Sequence, residues 1–174
     1  TKNILEKKPI EVFNYGDHSR DFTYIDDVKK IIKKLYSKIP KNNKKWNEHN
    51  PTSSSSPFRV LNIGNGRKVK LLDYIKYIEK NLGKKAIIKY LPKQPGDVRS
   101  SLSNSNKLKK LINYIPQTSA EKGVKEFIDT FKELKSLKIT SISDYAKIVL
   151  DKSGIMMEYR RDGDTDRLDN VNEL

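Results

Sequence analysis

The chain has 174 residues and a mass of 20.2 kDa, room for one domain with a core and a short appendage, and its 35% hydrophobic and 33% charged residues make a polar but foldable mixture. It lacks cysteine, which excludes disulfides and thiolate metal sites, its two histidines (His18 and His49) are too few for a zinc cluster, and no apolar run approaches the ~20 residues of a membrane span. A soluble cytoplasmic protein is expected, and its net charge of +14 makes DNA a conceivable partner, although the lysines are spread along polar helix faces rather than gathered on one patch.

In chain order, residues 1–8 read as the tail of a helix ended by Pro9, and IEVFNYG as a short strand burying Ile10, Val12 and Phe13. The loop DHSRDFTY leads into a helix, because Ile25, Val28, Ile31, Ile32 and Leu35 recur at helical spacing to about Lys38. Asp26 and Asp27 open it, where the helix dipole favours carboxylates. Residues 40–57, Pro-bounded and Ser-rich, form an exposed loop. FRVLNIG then predicts a strand, GNGRKV a turn, and KLLDYIKYIEKNL an amphipathic helix stopped by Gly83. KAIIKY predicts a further strand and LPKQPGDVRSSLSN a long loop, followed by helices around Asn106–Ile112 and from Thr118, whose spacing to Glu121 is that of a capping box. Strands alternating with helices argue an α/β fold with too few strands for a complete doubly wound sheet.

LNIGNGRKVKLLDYI has the order of a dinucleotide-binding turn, but the position of the third glycine is Val69, so a structural turn is expected. No phosphate-cradling nucleotide motif occurs, and none of the nine tyrosines has Lys four positions later. Arg20 and the loop carrying Lys93, Gln94 and Asp97 remain as candidate chemistry. An Arg fork suits phosphate oxygens and an Asp accepts from sugar hydroxyls. Composition alone reads Arg20 as a surface salt-bridge partner of Asp17 or Asp21.

The segments IEVFNYGDHSRDFTYIDDV, SSPFRVLNIGN, LPKQPGDV and NYIPQTSAEKGVKEFIDTF closely resemble, in order, the C-terminal half of extended short-chain dehydrogenase/reductases acting on nucleotide sugars, most of all UDP-glucuronate 4-epimerases. The resemblance implies a small α/β substrate-binding lobe over residues 1–136, with the Rossmann half that binds NAD missing. It implies that Arg20 contacts the UDP diphosphate, that Val12 and Phe13 line the uridine site, and that Gln94 and Asp97 lie on the loop holding nucleotide and ribose. It further implies a UDP-sugar partner, a frequent homodimer, and an oxidation–reduction cycle at C4 performed by a Tyr and NAD. That Tyr would lie in the missing half, so no catalytic residue is expected in this chain, which should be inactive alone.

Residues 1–136 carry 30 Lys/Arg and 14 Asp/Glu, whereas residues 137–174 carry 6 and 8, a break from +16 to −2. The second segment has helical spacing in Tyr145, Ile148, Val149 and Ile155, an acidic DGDTD turn and a helix start at Leu168. It resembles part of UvrD-type superfamily 1 DNA helicases, without an ATP-site motif. A join of two unrelated sequences is expected at about residue 137, an epimerase C-terminal extension of one or two helices being the other reading of the tail, and a nucleic-acid-associated module or a fragment of a DNA helicase the alternative function. The start at Thr1 and the end at Asn-Glu-Leu also suggest a fragment.

Overall fold

The computed structural model describes residues 1–136 and 141–152, together with 157, 160 and 169. The chain divides into two compact units, Thr1–Ile128 and Asp129–Leu174.

The first unit begins with α1 (Lys2–Leu5), which buries Ile4, and turns through a left-handed Lys7 into β1 (Pro9–Val12). β1 pairs in parallel with β4 (Ile87–Tyr90), Ile10 opposite Ile88 and Val12 opposite Tyr90. Parallel neighbours require a long crossover, and everything between residues 13 and 86 supplies it. After β1 a tight turn over Phe13–Gly16 places Asn14, Tyr15 and Gly16 in succession at positive φ. Asn and Gly tolerate this region, Tyr does not, so the turn stores strain at Tyr15. Gly16 suits this turn at φ +84°, and a Cβ there would lie 2.7 Å from a Leu72 methyl, which would have to shift. β2 (Ser19–Asp21) follows and runs antiparallel to β3 (Lys68–Lys70), with Arg20 opposite Val69. Residues 99–101 line its other side, where the Ser19 amide donates to the Arg99 carbonyl and the Ser101 amide to that of Ser19.

Helix α2 (Ile25–Leu35) buries Ile31 completely but leaves Ile25 61% and Ile32 58% exposed, so only part of its apolar arc enters this core. Asp26 behaves as a first-turn carboxylate, paired with Lys29 on the surface. Asp27 does not: it is 1% exposed and accepts hydrogen bonds from the Tyr114 hydroxyl at 2.7 Å and from the amides of Gln117 and Thr118. A buried carboxylate needs such donors far more than it needs the helix dipole.

The strand predicted at FRVLNIG does not form. Apart from a single bridge between Arg59 and Ser53 it has no ladder, and Val60 bonds back to Thr52 within its own loop. A strand exists only beside a paired neighbour, and the last amide of this run and the two that follow it donate to side chains instead. Gly64 donates to Ser105 Oγ, Asn65 to Thr23 Oγ1 and Gly66 to Asp21 Oδ2. The predicted turn GNGRKV correspondingly yields β3. Helix α3 (Leu71–Leu82) ends, as its sequence demands, on left-handed Gly83.

Helices α4 (Asn106–Ile112) and α5 (Ala120–Ser136) complete the unit's packing, with Leu108, Val124 and Ile128 joining Ile4, Val12, Ile31 and Ile75 in the core. The cap of α5 is Ser119, whose Oγ accepts from the Lys122 amide, one residue later than the predicted Thr118. Thr118 is committed to Asp27 and is therefore not available as a cap.

Within the second unit, α6 (Ile142–Lys152) starts on a Ser141 cap whose hydroxyl exchanges hydrogen bonds with the Asp144 amide and carboxylate. Lys152 pairs there with Glu133. Tyr145, Ile148 and Val149 lie on α6, whereas Ile155, the DGDTD turn and Leu168 lie outside the described residues. Among the described residues no helix is long and apolar enough to cross a membrane, and no group of His, Asp and Glu could hold a metal ion.

Candidate functional site

The chemistry of the first unit gathers where β2 meets the loop after β4. QPGD is a turn by its own composition: Pro95 presets the first central φ, Gly96 takes φ +77°, and the Asp97 amide closes onto the Gln94 carbonyl at 3.3 Å. This delivers Asp97 to β2, where its Oδ1 accepts from Arg20 Nη2 at 2.8 Å. Arg20 Nη1 also donates to the carbonyl of Ser19 at 3.0 Å and, more weakly, to that of Arg99 at 3.4 Å. Three of the five guanidinium donors are thereby engaged. The Nε–H and the second Nη2 hydrogen have no acceptor among the described residues, and the side chain is 30% exposed.

Arg20 thus belongs neither to Asp17 nor to Asp21. Asp17 pairs with Arg99 at 2.8 Å, and Asp21 Oδ2 accepts from the amides of Gly66 and Ser103, both at 3.0 Å. Sequence reasoning overlooked one member of the cluster. His18, 5% exposed, places Nε2 at 3.0 Å from Asp97 Oδ2, within ion-pair distance though not aligned as a hydrogen bond. Its proximity in sequence to Arg20 was the available signal.

The remaining predicted positions fall elsewhere. Val12 is a core residue at 2% exposure, and its carbonyl receives the Leu91 amide. Phe13 is half-buried at the head of the strained turn. Gln94 is exposed on the turn that carries Asp97. Two concavities, of about 530 Å³ beside the end of α3 and about 380 Å³ over the stacked rings of Phe22 and Tyr74, contain neither Arg20 nor Asp97. The Arg20–Asp97 pair is part-exposed, at 30% and 26% of the two side chains.

The Gly64–Gly66 turn does not fit a dinucleotide. Its three amides are already taken by Ser105, Thr23 and Asp21, and a Cβ placed on Gly64 would lie 2.2 Å from the Ser103 Cβ. The Asn65 side chain locks it further, donating to the carbonyls of Thr118 and Phe22. No donor remains for a pyrophosphate.

No family model matches the chain. Protein CapI of Staphylococcus aureus is 39% identical over 135 residues, covering 76% of this chain and 40% of that protein. UDP-glucuronate 4-epimerase of Thermodesulfobacterium geofontis is 32% identical over 145 residues, covering 79% and 39%. The crystal structure of Bacillus cereus UDP-glucuronic acid 4-epimerase with UDP-glucuronic acid and NAD superimposes with a TM-score of 0.59 at 30% identity, over 76% of this chain and 38% of that one. The chain spans about 40% of the length of these relatives. They lend no support to the helicase resemblance of residues 137–174. Over about three quarters of its length, the chain has the mixed α/β fold of a part of the extended short-chain dehydrogenase/reductase epimerases.

Proposed function

We propose that this chain provides the nucleotide-sugar-binding surface of a UDP-sugar 4-epimerase, with UDP-glucuronate or a close relative as its substrate. The observation that carries this reading is Arg20, held on three sides by Asp97, Ser19 and Arg99 yet keeping two donors for an incoming anion. A guanidinium so pre-organised presents a planar fork to a diphosphate without having to be ordered on binding. The strained turn at 14–16 and the proline-preset turn at 94–97 fix the two segments that carry them. On this reading Phe13 and the backbone near Val12 face the uridine end, and Gln94 with Asp97 the ribose.

The cofactor of the proposed reaction is NAD, as in the Bacillus cereus relative. The Gly64–Gly66 turn does not fit it, since its amides are taken by Ser105, Thr23 and Asp21, and no tyrosine here carries a Lys four positions later. The role assigned to these residues is accordingly to bind and orient the nucleotide, and the chain by itself is proposed to lack epimerase activity.

Calorimetric titration of UDP into the chain tests this. Arg20→Ala should weaken binding roughly tenfold or more, the scale of a lost hydrogen bond to a charged group. Steeply salt-dependent DNA binding with no response to UDP would overturn it.

A further inference from the structure

His18 has no part in the reading above, yet it is the most buried polar group of the cluster. Asp97 lies between two cations or potential cations. Its Oδ1 takes Arg20 Nη2 at 2.8 Å and its Oδ2 faces His18 Nε2 at 3.0 Å. A carboxylate oxygen and an unprotonated ring nitrogen would repel at that distance, so a proton on Nε2 makes the contact favourable even though its N–H is not aligned on Oδ2.

We infer that His18 is a positioning residue of the Arg20 anion site: its buried ring, in contact through Nε2 with Asp97 Oδ2 at 3.0 Å, holds that carboxylate in place, so that Oδ1 remains on Arg20 and the unengaged guanidinium edge stays turned toward a ligand phosphate. This rests on the proposed UDP-binding role of Arg20 and deepens it. The backbone around His18 is built to hold the ring still. Its amide bonds to the Gly16 carbonyl at 2.9 Å, and its carbonyl receives the Leu71 amide at 2.8 Å. The charges near it come from three segments: Asp17 on its own turn, neutralised by Arg99; Arg20 on β2; and Asp97 on the loop after β4. Of these, Asp97 is the one in direct contact with the imidazole. Without His18, Asp97 would be held by Arg20 alone, and a carboxylate with one anchor can swing with the guanidinium instead of steadying it.

Two variants of the full chain separate a positioning role from simple filling of space. His18→Leu keeps the buried volume and removes the donor, whereas His18→Gln restores an N–H at similar reach. In the ligand-free chain, nitrogen NMR should find the Nε2-protonated form of His18. The Arg20 Nη signals should be separately resolved in the parent and in His18→Gln but coalesced in His18→Leu, as its guanidinium gains rotation. UDP affinity should fall roughly tenfold in His18→Leu and return to within about threefold of the parent in His18→Gln. A His18 protonated at Nδ1 alone overturns the inference, whatever the variants do, and so does unchanged Arg20 order in a folded His18→Leu. If the parent shows no UDP binding at all, the substrate reading fails by itself, and the ligand-free signals still decide the role of His18.

Discussion

The Tyr114 hydroxyl donates to Asp27 Oδ1 at 2.7 Å, joining the loop after α4 to the first turn of α2 across 87 residues of sequence. The other oxygen of Asp27 receives the amides of Gln117 and Thr118, so one buried carboxylate holds two segments together. Removing it leaves those donors without an acceptor in a dry site. Asp27→Ala should therefore lower stability by about 2–4 kcal/mol, with Asp26→Ala close to neutral, as measured by urea unfolding.

The same pair sets pH dependence at both ends. Burial pushes the Asp27 carboxyl up, but the Thr118 amide, the Tyr114 hydroxyl, the Thr118 hydroxyl and the Gln117 amide together outweigh it and hold the group below its ordinary value. Its stabilisation is present above the unfolded carboxylate value and lost as pH falls through the lower folded one. The acid limb of stability below about pH 4 should be shallower in Asp27→Asn than in the parent. Tyr114 is pushed up to about 12 by burial, then by its hydrogen bond to Asp27 and the charge of that residue. Here the stabilisation is complete below pH 10 and is lost as pH rises toward 12. Tyrosinate absorbance should lose a late-titrating component in Tyr114→Phe, while Tyr24 and Tyr74, both also raised chiefly by burial, keep theirs.

Gly64 tests the packing of the turn that a nucleotide cannot use. A methyl group there meets the Ser103 Cβ at 2.2 Å, while one on Gly66 meets nothing within 4 Å. Gly64→Ala should cost about 2–3 kcal/mol by overpacking, and Gly66→Ala about 1 kcal/mol through its positive φ alone. Pairing Gly64→Ala with Ser103→Gly should recover part of the loss, an interaction that a double-mutant cycle measures.

The purified chain, supplied with NAD and UDP-glucuronate, should give no C4 epimer by chromatography. In the proposed reading its residues orient the nucleotide, and none of its nine tyrosines has the Lys four positions later that the expected proton-transfer pair requires. Turnover by the chain alone would contradict the assignment of hydride and proton transfer to residues outside it.

What the sequence determined by itself was whatever a few neighbouring residues can encode. Gly83 ends α3 because only a left-handed residue stops the helix there, and Pro95-Gly96 make a turn because their dihedral preferences match one. The order of motifs was enough to point to the epimerase-like lobe and to Arg20. Tertiary structure decided the partners. Arg20 has acids at 17 and 21, yet it takes Asp97, 77 residues away, because Arg99 and the amides of Gly66 and Ser103 have claimed the nearer ones. Asp27 reads as a helix-opening charge until the loop after α4 surrounds it with donors, and FRVLNIG reads as a strand until its last amide, Gly64, and the two that follow find side chains instead of a ladder. Helix caps and turns depend on local dihedrals, whereas the pairing of a buried polar group depends on which distant donor or acceptor the fold brings beside it.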